Sequence, residues 1–295
     1  MRKLSLLLVV VALLACPLLM QAQTASGGGH QMQGPPKVLE IFREDAKPGK
    51  AIAHRKHEAA WTQAFIKAGY PYSLAISSVT GPDEDWFITP FDSFADIEKL
   101  NAKMETAAFQ QIMETYSPKE TDFLTESRAI TAKYRADLSY QPDFKVGEYK
   151  YFNVLIVRYK LGSGPEDVHK IVAAAREKTH PEYHQVVYQV NSGMPVGTYL
   201  YFTPVKSMAE WDQPPDKAYG EAIKEGGFDA AVAKDVQFVD TRLFAFNPKL
   251  SYVSADVAKA NPSFWNPKPA MAKTAASGEK PAAPAAKKEA DTKKK

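Results

Sequence analysis

"FITPFDSFAD", Phe87 to Asp96, returns 114 residues later as "YFTPVKSMAE", Tyr201 to Glu210. In each copy a β-forming apolar run meets a proline. Ser93 with Asp96, or Ser207 with Glu210, then supplies the S-x-x-acid arrangement that serves free amides at a helix start. The phrase reads as a strand-to-helix joint, with the strand ending at Pro90 or Pro204. Other matches keep nearly the same spacing. Arg43, Gly49 and His54 match Arg158, Gly164 and His169; Arg128 matches Arg242; "LSY" at 138 to 140 recurs at 250 to 252. An ordered series of this kind marks an internal duplication.

Each copy can therefore be read once. "VLEIFR", Val38 to Arg43, and "NVLIVR", Asn153 to Arg158, are short β-rich runs and serve as first strands. Turn chemistry follows, "KPGK" or "GSGPED", and opens a helix. In copy one the helix carries the apolar stripe Ala53, Ala60, Trp61, Ala64, Phe65 and Ala68, and stops at Gly69. "YSLAISSV" with "DWFIT", and "HQVVYQV" with "TYLYF", form hairpin-like strand pairs. After the joint come a second helix and a fourth strand, "RAITAKY" or "QFVDTRLFAF". Pro214 and Pro215 interrupt the second helix of copy two, which restarts near Asp216.

The order β-α-β-β-α-β, twice, is that of the ferredoxin-like unit. Both helices cover one sheet face, so the other must be buried against something. The least costly partner is the second copy. The expected class is α+β: tandem ferredoxin-like βαββαβ units forming an intramolecular dimeric α/β barrel. The expected boundaries are a signal peptide over 1–22, a flexible lead-in over 23–36, repeats over 37–143 and 144–252, and a disordered Ala/Pro/Lys-rich tail over 253–295.

The ends carry the charge. Arg2 and Lys3 precede an apolar run from Leu4 to Met20, which matches an export signal. Cleavage near Ala22 is favoured over lipoprotein processing at Cys16, and the mature chain is expected to be periplasmic or secreted. Residues 267–295 hold eight lysines against three acids, which turns a formal net charge of +3 for the whole chain into a slightly acidic body. Such a body is not a nucleic-acid footprint, and no membrane span is expected after signal removal. Its tail could meet an anionic envelope surface. With Cys16 as its one cysteine, the chain has neither disulfides nor thiol-based metal sites.

"VLEIFREDAKPGK" followed by a helix and then "DWFITPFDSFADIEKL" resembles the NIPSNAP-type branch of the dimeric α/β-barrel superfamily, over about residues 37 to 252. The resemblance implies two ferredoxin-like units closing their sheets into a barrel. It implies no particular reaction, because that superfamily includes cofactorless and haem-degrading monooxygenases, isomerases and members without known chemistry.

The candidate site residues are Arg43 with Glu126 and Arg128, mirrored by Arg158 with Asp240 and Arg242. A fourth strand antiparallel beside the first puts Arg43 near Glu126 and Arg158 near Asp240. They read as cross-strand ion pairs, or, if they point inward, as an anion site. His54, His57 and Glu58 share one helical turn. They read as packing beside the stripe, because three metal ligands are usual and no third is identifiable. His180 and His184 flank "PEY" as a polar loop lip. No metal and no cofactor is expected. The expected function is non-catalytic binding of a small, partly apolar or anionic ligand, or of a partner. The alternatives are a cofactor-independent or haem-using monooxygenase-like enzyme, and an envelope interaction module acting through the tail.

Overall fold

The computed structural model describes residues 34–266. The expected signal peptide with Cys16, most of the lead-in and the basic tail from residue 267 lie outside the described residues. The first half runs β1 (Val38–Ala46), α1 (Ala51–Lys67), β2 (Leu74–Ser78), β3 (Glu84–Phe91), α2 (Phe94–Met104), α3 (Ala107–Tyr116), α4 (Glu120–Phe123) and β4 (Leu124–Tyr134). The second runs β5 (Tyr151–Tyr159), α5 (Glu166–Thr179), β6 (Val186–Ser192), β7 (Thr198–Val205), α6 (Lys217–Glu225), α7 (Phe228–Asp235) and β8 (Val236–Phe246). Among the described residues no helix is long and apolar enough to cross a membrane.

The eight strands close in the order β1-β3-β2-β8-β5-β7-β6-β4. Every pairing is antiparallel, and each half contributes four neighbours in ferredoxin-like order, so the expected α+β tandem is the architecture adopted. The halves meet at two short seams, Ile76–Ser78 of β2 against Phe244–Phe246 of β8, and Thr131–Tyr134 of β4 against Tyr188–Ser192 of β6. At the second seam Gly193 has φ of +87° and lies so close to the Ala129 carbonyl that a Cβ there would collide with it.

Alternation along the strands sorts the side chains. Leu39, Ile41, Ile76, Trp86, Ile88, Ile130, Val154, Phe202 and Phe244 fall in one buried interior cluster. Outside, α2 packs Ile97 and Leu100 on Val38 and Phe91. Val168 of α5 packs with Val157, Val187 and Tyr199, and the partly buried Phe228 and Val232 of α7 join them.

Two local readings change. β3 and β7 run through Pro90 and Pro204 instead of ending there. The pairing of β2 stops at Ile88 and that of β6 at Phe202, so each proline sits where its strand is already an edge and its missing N–H costs no ladder bond. Ser93 precedes α2, but its hydroxyl donates to Asp96 Oδ2 at 2.7 Å instead of accepting from an amide. In the second half the break at Pro214 and Pro215 is present. Asp216 caps α6 by accepting from the Tyr219 amide at 3.0 Å.

The sequence assigns everything from residue 253 to a disordered tail, but its first part is ordered. Residues 253–266 fold back as α8 (Ala255–Ala260) and α9 (Pro262–Trp265). Trp265 is 4% exposed, packs its ring 5.7 Å from Phe246 and donates Nε1–H to the Gly147 carbonyl at 3.0 Å. The composition argument rests on the Ala/Pro/Lys run, which starts only after this aromatic anchor. Trp265→Ala is expected to cost about 3–5 kcal/mol, as for other buried tryptophans. It should appear as an earlier denaturation midpoint with an unchanged slope.

Candidate functional sites

The barrel interior is divided along its axis. At one end, Leu39, Leu74, Ile88, Phe152, Val186, Tyr188 and Phe202 wall a cavity of about 1130 Å³, with Asp92, Lys99, Lys103 and Lys145 among its polar rim residues. Burial raises the Tyr72 hydroxyl to about 12 and holds that of Tyr188 above its ordinary value, so both phenols stay neutral. The Tyr188 hydroxyl donates to the Pro36 carbonyl at 3.1 Å. Trp86 and Phe244, with ring centroids 5.0 Å apart, fill the middle.

Beyond them stand the charged residues singled out by the repeat, arranged differently from the expected pairs. Arg43 faces Arg128 across β1 and β4, while Asp45 faces Glu126. Arg158 faces Phe238, while Asp240 faces Ile156. The expected pairs are thus two residues out of register. The prolines of the repeated phrase show why the mirror fails: Pro90 pairs with Leu39 and Pro204 with Phe152, so Ile156, not Arg158, occupies Arg43's place in the second half.

The missing element is Glu84, a fully buried carboxylate from β3. It takes Arg43 Nε at 2.6 Å on Oε2 and Arg242 on Oε1, and it accepts from Trp86 Nε1 at 3.1 Å. Arg43 also contacts Asp45 at 3.1 Å, Arg242 contacts Asp240 at 2.7 Å, and Arg128 pairs with Glu126. Hydrogen bonds and charge from Glu84 and Asp240 outweigh the effect of burial and raise Arg242 further. Arg158 has no ion pair among the described residues and lies over the Phe238 ring at 5.9 Å. Arg43, Arg128 and Arg242 thus stand in a network of ion pairs, while the Nε atoms of Arg128 and Arg158 are buried without a hydrogen-bond partner.

The histidines separate. His180, left-handed at the end of α5, lines a small pocket of about 340 Å³ with His169 and Arg176. His184 bonds the Gln141 carbonyl through Nδ1 at 2.6 Å and packs on Phe144. His57 lies among the Trp61, Tyr116 and Phe123 rings and sets Nε2 3.1 Å from the Tyr116 carbonyl and 3.3 Å from Glu120 Oε1.

His54 is different, because further candidate donors stand beside it. The buried face of α1 keeps Trp61 of the expected stripe but is otherwise Ala51, His54 and Glu58, with Ala53 and Ala60 exposed. Against it, on the outer side of the sheet, stand Glu44 of β1 and Glu120 of α4. One ligand atom from each of Glu44, His54, Glu58 and Glu120 can be chosen so that all four lie within 4.8 Å of one another. His54 Nε2 is 2.9 Å from Glu44 Oε2 and 3.6 Å from Glu120 Oε2, and Nδ1 is 3.3 Å from Asp85 Oδ2. Asp85 is itself held by Ser77 and by Arg55 Nε at 2.9 Å. The signal was present as His and Glu at i and i+4 with Trp61 three further on, which places all three on one helix face.

Burial and neighbouring carboxylates push Glu58 well above its ordinary range, and burial raises Glu44 as well. For His54, burial opposes the charged form, but contacts to Asp85, Glu120 and Glu44 prevail and raise it to about 11. Asp85 is held low despite burial by bonds from His54, Ser77 and Arg55.

No protein-family model and no curated protein matches the chain. Solved structures do. A monooxygenase-like protein from Lactobacillus acidophilus, described as a putative monooxygenase, shares 11% identity over 71% of this chain and 93% of its own, at a TM-score of 0.45. An anthrone oxidase-like protein shares 14% over 72% and 92%, also at 0.45. A mutant chlorite dismutase from Candidatus Nitrospira defluvii shares 11% over 76% and 95%, at 0.44. These likenesses concern the chain path and carry no residue role to this protein.

Glu84→Gln is expected to cost about 3–5 kcal/mol in chemical denaturation, because it strips the shared partner from two largely buried arginines. Arg158→Met should cost under about 1 kcal/mol. A pH effect also follows. His54, raised from 6.5 to about 11, contributes stability that is complete below pH 6.5 and lost as pH climbs toward 11. Glu44 and Glu58, raised from 4.5, act in the same direction above that value. With a chelator present, the protein should melt lower at pH 10 than at pH 7, and His54→Gln should flatten the difference.

Proposed function

We propose that the protein binds a single small molecule, largely apolar with a polar end, in the open half of its barrel and does not transform it. The observation that carries this reading is the cavity of about 1130 Å³. Its size exceeds the usual range for small-molecule sites, and its deep wall is aliphatic and aromatic, with polar residues at the rim. None of the described histidines lines it, and its buried phenols stay neutral, so the deep wall offers neither an imidazole ligand for haem nor a general base.

Native mass spectrometry of the protein purified from its own host should show one retained organic molecule per chain. Val186→Trp, which projects an indole into the cavity, should abolish that adduct and the fluorescence gain of added 8-anilinonaphthalene-1-sulfonate, with melting within a few degrees of wild type. Unchanged adduct and dye binding in this variant would show that the cavity is not the binding site.

A further inference from the structure

The outer site built on His54 carries an inference independent of the cavity. Three elements deliver its side chains: Glu44 from β1, His54 and Glu58 one turn apart on the α1 that follows it, and Glu120 from the distant α4. The surroundings are dry. His54 is fully buried, Glu58 is 6% exposed, and the Phe123 ring closes over the imidazole at 6.4 Å.

Glu44, Glu58 and Glu120 converge on one imidazole in that space. Two observations point to a ligand and not merely to an acidic cluster. Glu58 Oε1 is buried, turned into the group, and has no hydrogen-bond partner, whereas Glu120 meets His57 Nε2 at 3.3 Å and His54 Nε2 at 3.6 Å. Moreover, His54 presents Nε2 to the carboxylates while Nδ1 faces Asp85, which Ser77 and Arg55 fix from behind. An imidazole backed by an oriented carboxylate on its far nitrogen is the outer-shell arrangement that sets the tautomer of a metal-binding histidine.

We propose that Glu44, His54, Glu58 and Glu120 bind one divalent first-row transition cation of the Zn²⁺ or Mn²⁺ type, in a closed site that fastens α1 and α4 to β1. The nitrogen donor and the tight, water-poor shell select against Mg²⁺, which retains several waters, and against Ca²⁺, which takes six to eight oxygens. Four protein donors without an open approach make the site structural instead of catalytic.

The test uses the full mature chain stripped with a chelator and titrated calorimetrically with Zn²⁺, Mn²⁺ or Mg²⁺ chloride. The expected result is one Zn²⁺ or Mn²⁺ per chain with a Kd below about 1 μM. At a hundredfold excess over Kd, the ion should raise Tm by about 5–10 °C. Mg²⁺ should have little effect. Glu58→Gln keeps the shape and removes one anionic donor, so affinity should fall at least tenfold; Glu126→Gln, on the exposed end of β4, should leave it unchanged. Absence of stoichiometric binding by the wild-type chain would overturn the proposal without reference to any variant. So would equal affinity in wild type, Glu58→Gln and Glu126→Gln, which would place the ion elsewhere.

Discussion

A four-stranded sheet whose two crossover helices lie on the same side has one face that its own chain cannot cover. In this protein the uncovered faces carry Ile41, Trp86 and Ile130 from one half and Val154, Leu200 and Phe244 from the other, all almost completely buried. Water must be kept from both at once, and closing the sheets on each other does so. The seams are short, β2 on β8 and β4 on β6, yet they leave no free sheet edge along the closed ring. Everything inside the barrel takes its environment from that closure.

Within the ring the aromatic pair Trp86 and Phe244 separates two unlike compartments. On one side the charges are paired, and Glu84 links Arg43 of the first half to Arg242 of the second. This ties the halves electrostatically at a depth where screening by salt is weak. On the other side the wall is apolar and spacious. The same inward alternation of side chains thus yields a fastened end and a receptive end. What differs is only which residue types occupy corresponding levels of the strands.

The duplication, the strand order and the barrel were legible because they rest on period-two alternation, turn residues and a repeated joint, all local signals. Register was not. Arg43 and Arg158 are matched letters in the sequence, yet the strand partners of Pro90 and Pro204 place them at different levels. Glu84 escaped because nothing in "DEDW" says which acid turns inward; a one-residue change of phase exchanges Glu84 with Asp85, and these end on opposite faces of the sheet. The His54 cluster escaped for another reason. Its donors come from residues 44, 54, 58 and 120, and only tertiary packing brings them together. The alanines of the stripe also drew attention to the wrong face of α1, where burial in fact follows His54, Glu58 and Trp61.

The lack of strict correspondence between the halves has its own significance. Two identical subunits related by a dyad would carry any acidic pocket in duplicate, together with its burden of buried charge. A single polypeptide is free of that obligation. Beneath α5, where the first half pairs Glu44 with Asp85 across its strands, the second half pairs Val157 with Tyr199. The acidic pocket can therefore exist once, with an apolar and phenolic contact in its place on the other flank.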